Sequence, residues 1–361
     1  MYLLVCLKAL LSRIKSSLSA NLVVYKLVKK PRNKDSLNVI YVLYSEKNMK
    51  SGGHKVIYKQ SELINNLNGT KFKSSVLHVG NASVKHNWFD NKVDFKKDYY
   101  LDPLNDFVVV PEIMVLNHAQ QLTKNGISYA IFVQNGFLID AYSHKYDELA
   151  LAYKNASVIL AISEDATNCV ITSYPWAANK IIRIYYSIDT NKFKSSKNKE
   201  NLITYMPRKL SRHASLVKFF LSERLPEGWN LKEVDGLDEA GVIDLLSKSK
   251  IFLSFSELEG LGLPPAEAAL CGNYVVGYTG EGGKEYWKAP IFTEVYCGDV
   301  KKFVNETLAK IEQLKTSSTD PSFESARFEL AEKYSEPVEK QSLLNFLHKA
   351  ESILNAKSAE V

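Results

Sequence analysis

Short runs of β-branched and aromatic residues alternate with amphipathic segments along most of this chain. The run at 39–44 is apolar throughout, as in a strand that is buried on both faces of a sheet. The segment at 54–67 instead repeats its apolar residues at helical spacing. Strands that alternate with helices are typical of parallel sheets covered by helices, so the sequence predicts an α/β fold.

The alternation is interrupted once and then begins again. Further strands are predicted at 75–79, 107–110, 129–133, 158–162 and 181–186, and after the interruption at 202–205, 230–234, 251–255 and 274–277. Helices are predicted at 163–172, 214–224, 238–247 and 264–271, and from 299 onward. The interruption at 192–199 is rich in Lys and Ser, which is the composition of an interdomain linker.

This organisation predicts two doubly wound, Rossmann-like domains that face each other across a cleft. We expect an N-terminal, acceptor-side domain at 37–195 and a C-terminal, donor-side domain at 196–335, followed by a C-terminal helix at 336–361. Ligands of such sheets bind in the crevice at the carboxyl ends of the strands, so the functional site is expected in the cleft.

The formal net charge of +6 is concentrated at the N-terminus. Residues 1–34 hold eight basic residues and no acidic one, whereas the rest of the chain has 38 basic and 40 acidic residues. A nucleic-acid groove needs clustered positive charge in the folded body. The charge distribution therefore argues against a nucleic-acid partner.

The N-terminal segment at 1–36 is both basic and amphipathic. Its first 19 residues repeat Leu and Ile at helical spacing, with Lys8, Arg13 and Lys15 among them. One interpretation is that residues 1–34 contact an anionic membrane surface. A secretory signal and a helix packed against the body are the alternatives, although the charges interrupt the apolar stretch that a signal needs.

Cysteine spacing and hydropathy bear on the compartment. Cys6, Cys169, Cys271 and Cys297 lie far apart, which favours a reducing compartment over a disulfide framework or a zinc ribbon. The longest run without a charged residue, at 125–139, is shorter than a membrane span. We therefore expect a cytoplasmic protein that can sit peripherally at the inner face of the cell membrane.

The most informative stretch runs from 254 to 272, with the sequence SFSELEGLGLPPAEAALCG. Its two carboxylates, Glu259 and Glu267, have seven residues between them, and a helix is expected to begin at the paired prolines. Gly260 and Gly262 allow the backbone and the N-terminus of that helix to approach an anionic ligand. Both carboxylates can therefore border one pocket, and a capped surface helix is the alternative interpretation.

This stretch resembles the glutamate–seven–glutamate motif of retaining glycosyltransferases with the GT-B fold, chiefly glycosyltransferase family 4. Two further segments are similar to that family. Ser51-Gly52-Gly53 resembles its N-terminal glycine-rich loop, and Gln134-Asn135-Gly136 resembles a turn found in one branch. The resemblance covers most of the chain and implies the GT-B arrangement of two facing domains.

The resemblance assigns roles to residues around the cleft. It implies that Glu259 contacts the donor sugar and that Glu267 accepts hydrogen bonds from the nucleotide ribose. Arg208 and Lys209, which follow the strand at 202–205, are the candidates for binding the diphosphate leaving group, and an ordinary solvated loop is the alternative. Further donor contacts are expected from Gly52, Gly53, Gly260, Leu261, Gly262, Leu263 and Gly283, and acceptor contacts from His118 and His144.

These features predict an enzyme that moves a sugar from a nucleotide-sugar donor to a hydroxyl of a glycan or lipid-linked acceptor. The resemblance implies retention at the anomeric carbon and a place in bacterial surface polysaccharide synthesis. No Asp-x-Asp pair follows a predicted strand, so no metal or other cofactor is expected. An epimerase or phosphorylase with the same fold, and a non-catalytic nucleotide-sugar-binding module, are the alternatives.

Overall fold

The computed structural model describes residues 23–29, 36–45, 51–80, 89–316 and 321–360. Most of the basic segment at 1–36 lies outside these residues. Its described part packs against the body, because Val23 and Tyr25 are buried. Strand β1 (Lys26–Leu27) pairs with β4 (Tyr100–Leu101), so residues 23–29 join the first domain.

The first sheet contains the six strands that the apolar runs predict. They are β2 (Leu37–Ser45), β3 (Phe72–Gly80), β5 (Asp106–Pro111), β6 (Ser128–Val133), β7 (Val158–Ala161) and β8 (Ile181–Arg183). The strands are parallel and their order is β3-β2-β5-β6-β7-β8. Strands β5, β6 and β7 are buried along their whole length, which explains their continuous apolar sequences.

The second sheet is also parallel. Its strands are β9 (Leu202–Tyr205), β10 (Asn230–Glu233), β11 (Ile251–Glu259), β12 (Tyr274–Glu281) and β13 (Phe292–Glu294), in the order β10-β9-β11-β12-β13. Four of them were predicted, and β13, at three residues, was not. The Phe255 and Phe303 rings stack with centroids 4.8 Å apart in the core of this domain.

Ten α-helices cover the two sheets in the described part of the chain. They are α1 (Gly52–Asn66), α2 (Val115–Lys124), α3 (Tyr146–Asn155), α4 (Glu164–Ser173), α5 (Ser211–Leu221), α6 (Glu239–Lys248), α7 (Leu263–Leu270), α8 (Val300–Thr316), α9 (Pro321–Lys333) and α10 (Glu336–Ala359). The hydroxyl of Ser163 accepts a hydrogen bond from the Ala166 amide and so caps the N-terminus of α4.

The last helix, α10, returns to the first domain. Its Phe346 ring meets Phe107 of β5 edge-on, with centroids 5.6 Å apart. The Ser342 hydroxyl accepts a hydrogen bond from the Tyr185 amide at 3.1 Å. The C-terminal helix therefore adds to the core of the domain that the N-terminal half of the chain builds.

The predicted linker is held in place by the second domain. Lys199 is partly buried and donates hydrogen bonds to the carbonyls of Ser249 and Cys271, which follow α6 and α7, at 2.6 and 2.5 Å. Burial lowers the pKa of Lys199 to about 8. This lysine of the predicted linker therefore satisfies backbone carbonyls at two helix ends.

Each sheet reverses its strand order at one point. In the first sheet the reversal lies between β2 and β5, and in the second it lies between β9 and β11. The crevices outside the carboxyl ends of these strand pairs are where ligands of open α/β sheets bind. The fold thus selects the segments after β2, β5, β9 and β11 as the candidate site.

Candidate functional site

The turn from β11 to α7 is shaped by glycine and proline. The pairing of β11 with β12 is irregular between Ser256 and Glu259, and Gly262 has a φ of 73°, a left-handed conformation that favours glycine. Helix α7 begins at Leu263, and the prolines that follow lack N–H groups. Of the four unpaired N–H groups at this helix N-terminus, those of Gly262 and Leu263 remain as donors.

Glu259 and Lys209 form an ion pair at the reversal point of the second sheet. Glu259 ends β11, and Lys209 lies four residues after the end of β9. The neighbouring Arg208 is exposed, and no partner for its guanidinium is found among the described residues. The structure thus brings together the Glu259 carboxylate and the Lys209 ammonium group, which the sequence placed in separate segments.

Glu267 lies one residue beyond the first turn of α7. Burial raises the pKa of its carboxyl group above the usual value, although the nearby Lys55 acts in the opposite direction. The carboxylate lines an interdomain cavity of about 170 Å³ together with Lys55 and Glu239. Among the described residues no donor hydrogen-bonds to the side-chain carboxylate of Glu267, so both carboxylate oxygens are available to a ligand.

The two domains are joined by an ion pair at the rim of this cavity. Lys55 of α1 contacts Glu239 at the start of α6, and Lys192 lies 3.2 Å from the same carboxylate. Burial raises the pKa of Glu239, but the two lysines outweigh it and lower the pKa overall. This contact was not predicted, because Lys55 and Glu239 lie 184 residues apart in the chain.

The glycine-rich turn after β12 packs against residues 258–262, the segment from the end of β11 to the start of α7 that we call the donor-side loop. A methyl group at Gly282 would lie 2.2 Å from the Gly260 carbonyl oxygen, so only glycine fits there. Gly283 is buried against Tyr286, whose hydroxyl donates a hydrogen bond to the Gly262 carbonyl. Leu261 is buried as well. The glycine-rich turn therefore holds the backbone of the donor-side loop in place.

Gly52 and Gly53 lie in the first turn of α1 and not in a loop. Their amides belong to a helix N-terminus at the carboxyl edge of the first sheet, which keeps them suited to an anion. A methyl group at Gly53 would lie 2.6 Å from Oε1 of Gln134, and Gln134 Nε2 donates to the Gly53 carbonyl at 3.0 Å. A methyl group at Gly52 would meet nothing within 4 Å.

The turn at Gln134 and Asn135 contacts both sides of the cleft. Asn135 Nδ2 donates to the Leu258 carbonyl at 3.0 Å, directly before Glu259. A methyl group at Gly260 would lie 1.7 Å from the Gln134 carbonyl oxygen, so the two backbones touch. The sequence identified this turn only by its resemblance to a family segment, and not as a domain contact.

Glu112 was missed by the sequence analysis. It follows β5, is only 3 % exposed, and its two oxygens accept the Gln134 and Asn135 amides at 3.2 and 3.0 Å. Burial raises its pKa to about 7, and these hydrogen bonds oppose that rise. Its position after a buried strand at the reversal point of the sheet is a signal that could have found it.

The two candidate acceptor histidines differ in their surroundings. His118 is fully buried in α2, where Nδ1 hydrogen-bonds to the Tyr25 hydroxyl at 2.8 Å, and burial lowers its pKa to about 4. An acceptor does not reach a side chain without exposed surface, so the prediction for His118 is corrected to a packing role. His144 is exposed beside Tyr146, with 3.3 Å between Nδ1 and the hydroxyl.

The described residues include no group of three or more His, Cys, Asp and Glu side chains that could hold a metal ion. Among the helices of the same residues, none is long and apolar enough to cross a membrane. Cys169, Cys271 and Cys297 are free thiols.

Two parallel, doubly wound domains whose carboxyl edges meet, closed by a helix that returns to the first domain, define the GT-B fold. Comparison with solved structures agrees. The chain superposes with a TM-score of 0.63 on Anabaena Alr3699/HepE in complex with UDP and glucose, at 13% identity, covering 86% of this chain and 99% of that one.

Two further structures have the same fold. The catalytic domain of starch synthase IV from Arabidopsis thaliana, bound to ADP and acarbose, gives a TM-score of 0.61 at 10% identity, covering 88% of this chain and 100% of that one. The lipopolysaccharide outer core galactosyltransferase WaaB, in its apo form, gives a TM-score of 0.59 at 12% identity, covering 86% of this chain and 98% of that one. No protein-family profile and no curated protein sequence matches the chain.

Proposed function

We propose that this chain is a retaining glycosyltransferase that moves a sugar from a nucleotide-sugar donor to a hydroxyl acceptor. The ion pair between Lys209 and Glu259 is the observation that carries the proposal. It lies at the reversal point of the second sheet, next to the N-terminus of α7. A cation suited to a diphosphate and a carboxylate suited to sugar hydroxyls thus share one crevice.

The donor side holds the groups that a diphosphate leaving group requires. Cleavage of the bond between the anomeric carbon and the phosphate oxygen increases the negative charge on the diphosphate. Arg208 and Lys209 stabilise that charge, together with the free N–H groups of Gly262 and Leu263. Glu267 then accepts hydrogen bonds from the ribose hydroxyls, because both of its oxygens lack a partner within the described chain.

Retention follows when the acceptor attacks on the face from which the diphosphate leaves. In that mechanism the acceptor hydroxyl passes its proton to the departing phosphate oxygen, and no carboxylate forms a bond to the sugar. Glu259 is held by Lys209, which suits a carboxylate that orients sugar hydroxyls and not one that attacks. The hydrogen bond from Asn135 to the Leu258 carbonyl joins the two domains beside Glu259, and closure of the domains around a donor would limit its hydrolysis by water.

Structures with the same fold support a nucleotide-sugar donor. HepE has been solved with UDP-glucose as well as with UDP and glucose. Starch synthase IV has been solved with ADP and acarbose. The fold that these proteins share with this chain supports a nucleoside diphosphate sugar as its donor.

A nucleotide panel tests the proposal. Thermal unfolding is measured with UDP, ADP, GDP and dTDP, and a ligand at 100 times its dissociation constant adds about 2.7 kcal/mol of stability. Arg208→Met should remove the shift, whereas Arg224→Met, an exposed cation that contacts Asn305, should keep it. No shift with any nucleotide would overturn the donor assignment.

Turnover separates the alternatives. With the sugar conjugates of the stabilising nucleotide, a transferase releases nucleoside diphosphate only when a hydroxyl acceptor is added. An epimerase changes the sugar without an acceptor, and a binding module leaves the donor intact. Retention is read from the anomeric configuration of the product by NMR.

We further propose that the acceptor is a glycan or lipid-linked sugar of bacterial surface polysaccharide synthesis, met at the inner face of the cell membrane. The basic residues before residue 35 supply the attraction to an anionic surface. Residues 23–29 pack into the first domain, so the deletion that tests this contact is confined to residues 1–22.

Vesicle binding tests the membrane contact. Removing residues 1–22 should release the protein from vesicles of phosphatidylglycerol and phosphatidylcholine, while nucleotide binding stays intact. Replacing Lys8, Arg13 and Lys15 by Gln in the full chain should weaken binding in the same direction and make it less dependent on salt. Vesicle binding that survives the deletion would refute the membrane assignment.

A further inference from the structure

Glu112 lies at the reversal point of the first sheet, opposite the donor-side loop of the second domain. It is the first residue after β5, and its carboxylate is buried beneath the turn that follows β6. A carboxylate in such a place costs free energy unless its oxygens are hydrogen-bonded. Both oxygens of Glu112 accept a hydrogen bond, and the two donors are the backbone amides of Gln134 and Asn135 in the same turn.

The two amides point into the carboxylate because the chain reverses direction at this turn. Asn135 Oδ1 accepts the Phe137 amide at 3.0 Å and so begins the short helix at Gly136–Leu138. The backbone N–H of Asn135 therefore points toward Glu112 in the first domain, while its side-chain Nδ2 points toward Leu258 in the second domain. One residue thus joins the buried carboxylate to the surface of the cleft.

The outward side of the turn meets the loop that carries Glu259. Asn135 Nδ2 donates to the Leu258 carbonyl at 3.0 Å, and the Gln134 carbonyl lies against the backbone of Gly260. The turn therefore contacts the residues on both sides of Glu259. Gln134 also holds the first turn of α1 through the Gly53 carbonyl.

We propose that Glu112 is a positioning residue for Glu259, acting across the cleft through the Gln134–Asn135 turn. Glu112 holds the Gln134–Asn135 turn, and that turn holds the residues before and after Glu259. The Glu259 carboxylate is therefore held in place only when the two domains are closed. The proposal rests on the donor-side role that we assign to Glu259.

Glu112→Gln is the discriminating change. The amide is nearly the same size, but it offers one acceptor oxygen and places an N–H₂ group opposite the second backbone N–H. One of the two amides of the turn is then unpaired, and the turn shifts. Asn135→Asp removes only the outward contact, because Oδ1 still accepts the Phe137 amide while the second oxygen faces the Leu258 carbonyl.

Hydrogen exchange on the ligand-free chain tests the link independently of turnover. In Glu112→Gln and in Asn135→Asp, amides at 258–263 should exchange about tenfold faster, the loss expected for one hydrogen bond. Amides of β5 should keep their protection, since the sheet itself is unchanged. The double variant should exchange no faster than the faster single variant, because both changes break the same path.

Faster exchange throughout β5 and β6 in Glu112→Gln would show a general structural role and overturn the proposal. Unchanged exchange at 258–263 in Asn135→Asp would overturn it as well, even if Glu112→Gln does not fold. Glu148→Gln, an exposed carboxylate of α3 paired with Lys145, is the matched control and should leave 258–263 unchanged.

Turnover adds a second readout. In both variants kcat should fall about 100-fold, as expected for a displaced catalytic contact, whereas the nucleoside diphosphate that stabilises the wild-type chain should bind equally well. Loss of nucleotide binding in both variants would contradict a role limited to Glu259. If the wild-type chain neither binds a nucleotide nor turns over, the proposed function fails, and the exchange result still decides the role of Glu112.

Discussion

The guanidinium of Arg183 donates a hydrogen bond of 2.7 Å to the carboxylate of Glu285, 102 residues further along the chain. Arg183 ends the last strand of the first sheet, and Glu285 ends the glycine-rich turn of the second domain. The same carboxylate accepts the Tyr334 hydroxyl at 2.6 Å and the amide of Glu164, at the start of α4, at 2.7 Å. The turn that supports the donor-side loop is therefore anchored to the first domain.

Glu285→Gln should lower the free energy of unfolding by about 2 kcal/mol. Glu285 is buried and Arg183 is partly so, and removing one member of such a pair leaves the other charge uncompensated. The measurement is the urea midpoint of unfolding. Glu281→Gln, in the same turn, breaks the exposed pair with Lys284 and should change stability by less than about 1 kcal/mol. Equal effects of the two changes would show that burial does not govern the Glu285 contact.

Lys209→Met should reduce transfer strongly and stability little. The Lys209 side chain is 44% exposed, so its pair with Glu259 is screened and contributes about 1 kcal/mol or less. In the reaction that we propose, the same cation faces the departing diphosphate, and its loss should lower kcat about 100-fold. Lys248→Met breaks an exposed pair with Asp244 of α6 and should change neither quantity. A large loss of stability in Lys209→Met with normal transfer would reverse the assignment.

The elements were largely predictable from sequence, whereas the contacts between them were not. Buried strands such as β5 and β6 have continuous apolar sequences, so their type and place follow from the chain alone. Helices α2 and α3 were missed, and neither residue before them, Met114 or Lys145, caps the helix with its side chain. A start signal of that kind is what sequence analysis depends on.

The candidate site shows the same division. The spacing of Glu259 and Glu267 was readable because one strand, one turn and one helix hold both residues. Glu112 and Glu285 escaped notice, since the partners of each lie on other elements and their burial is a property of the assembled fold. His118 shows the reverse error, because a histidine on a helix carries no mark of the face that it occupies.

Gly260→Ala should push the donor-side loop of the second domain away from the Gln134–Asn135 turn of the first domain. The added methyl group would lie 1.7 Å from the Gln134 carbonyl oxygen, and neither backbone can move without displacing its own domain. We expect kcat to fall at least about 100-fold while nucleoside diphosphate binding, which we assign to the second domain, persists. Isothermal titration and transfer assays measure the two effects. Full activity in Gly260→Ala would show that the reaction does not require the closed arrangement.

Glu267→Gln should stabilise the ligand-free protein and weaken its nucleotide binding. Burial raises the pKa of Glu267 above the value of 4.5 expected in the unfolded chain. Above pH 4.5 the native state therefore holds this proton more tightly than the unfolded state does. Stability contributed by this group therefore falls with rising pH, and glutamine removes that loss. The difference in melting temperature between the variant and the wild type should be small at pH 4 and should grow, in favour of the variant, toward pH 8.

The same substitution leaves one acceptor oxygen for two ribose hydroxyls, and a hydrogen bond to a charged group is worth about 1.5–3 kcal/mol. The dissociation constant for the nucleoside diphosphate should therefore rise about 10- to 100-fold at pH 8. Calorimetric titration measures it, and Glu148→Gln is the control for both readouts. A variant that binds the nucleotide normally would place the ribose elsewhere, and one whose melting temperature tracks the wild type at every pH would show that the carboxylate is fully solvated. Gain of stability together with loss of binding identifies Glu267 as a charge that the fold buries for a ligand.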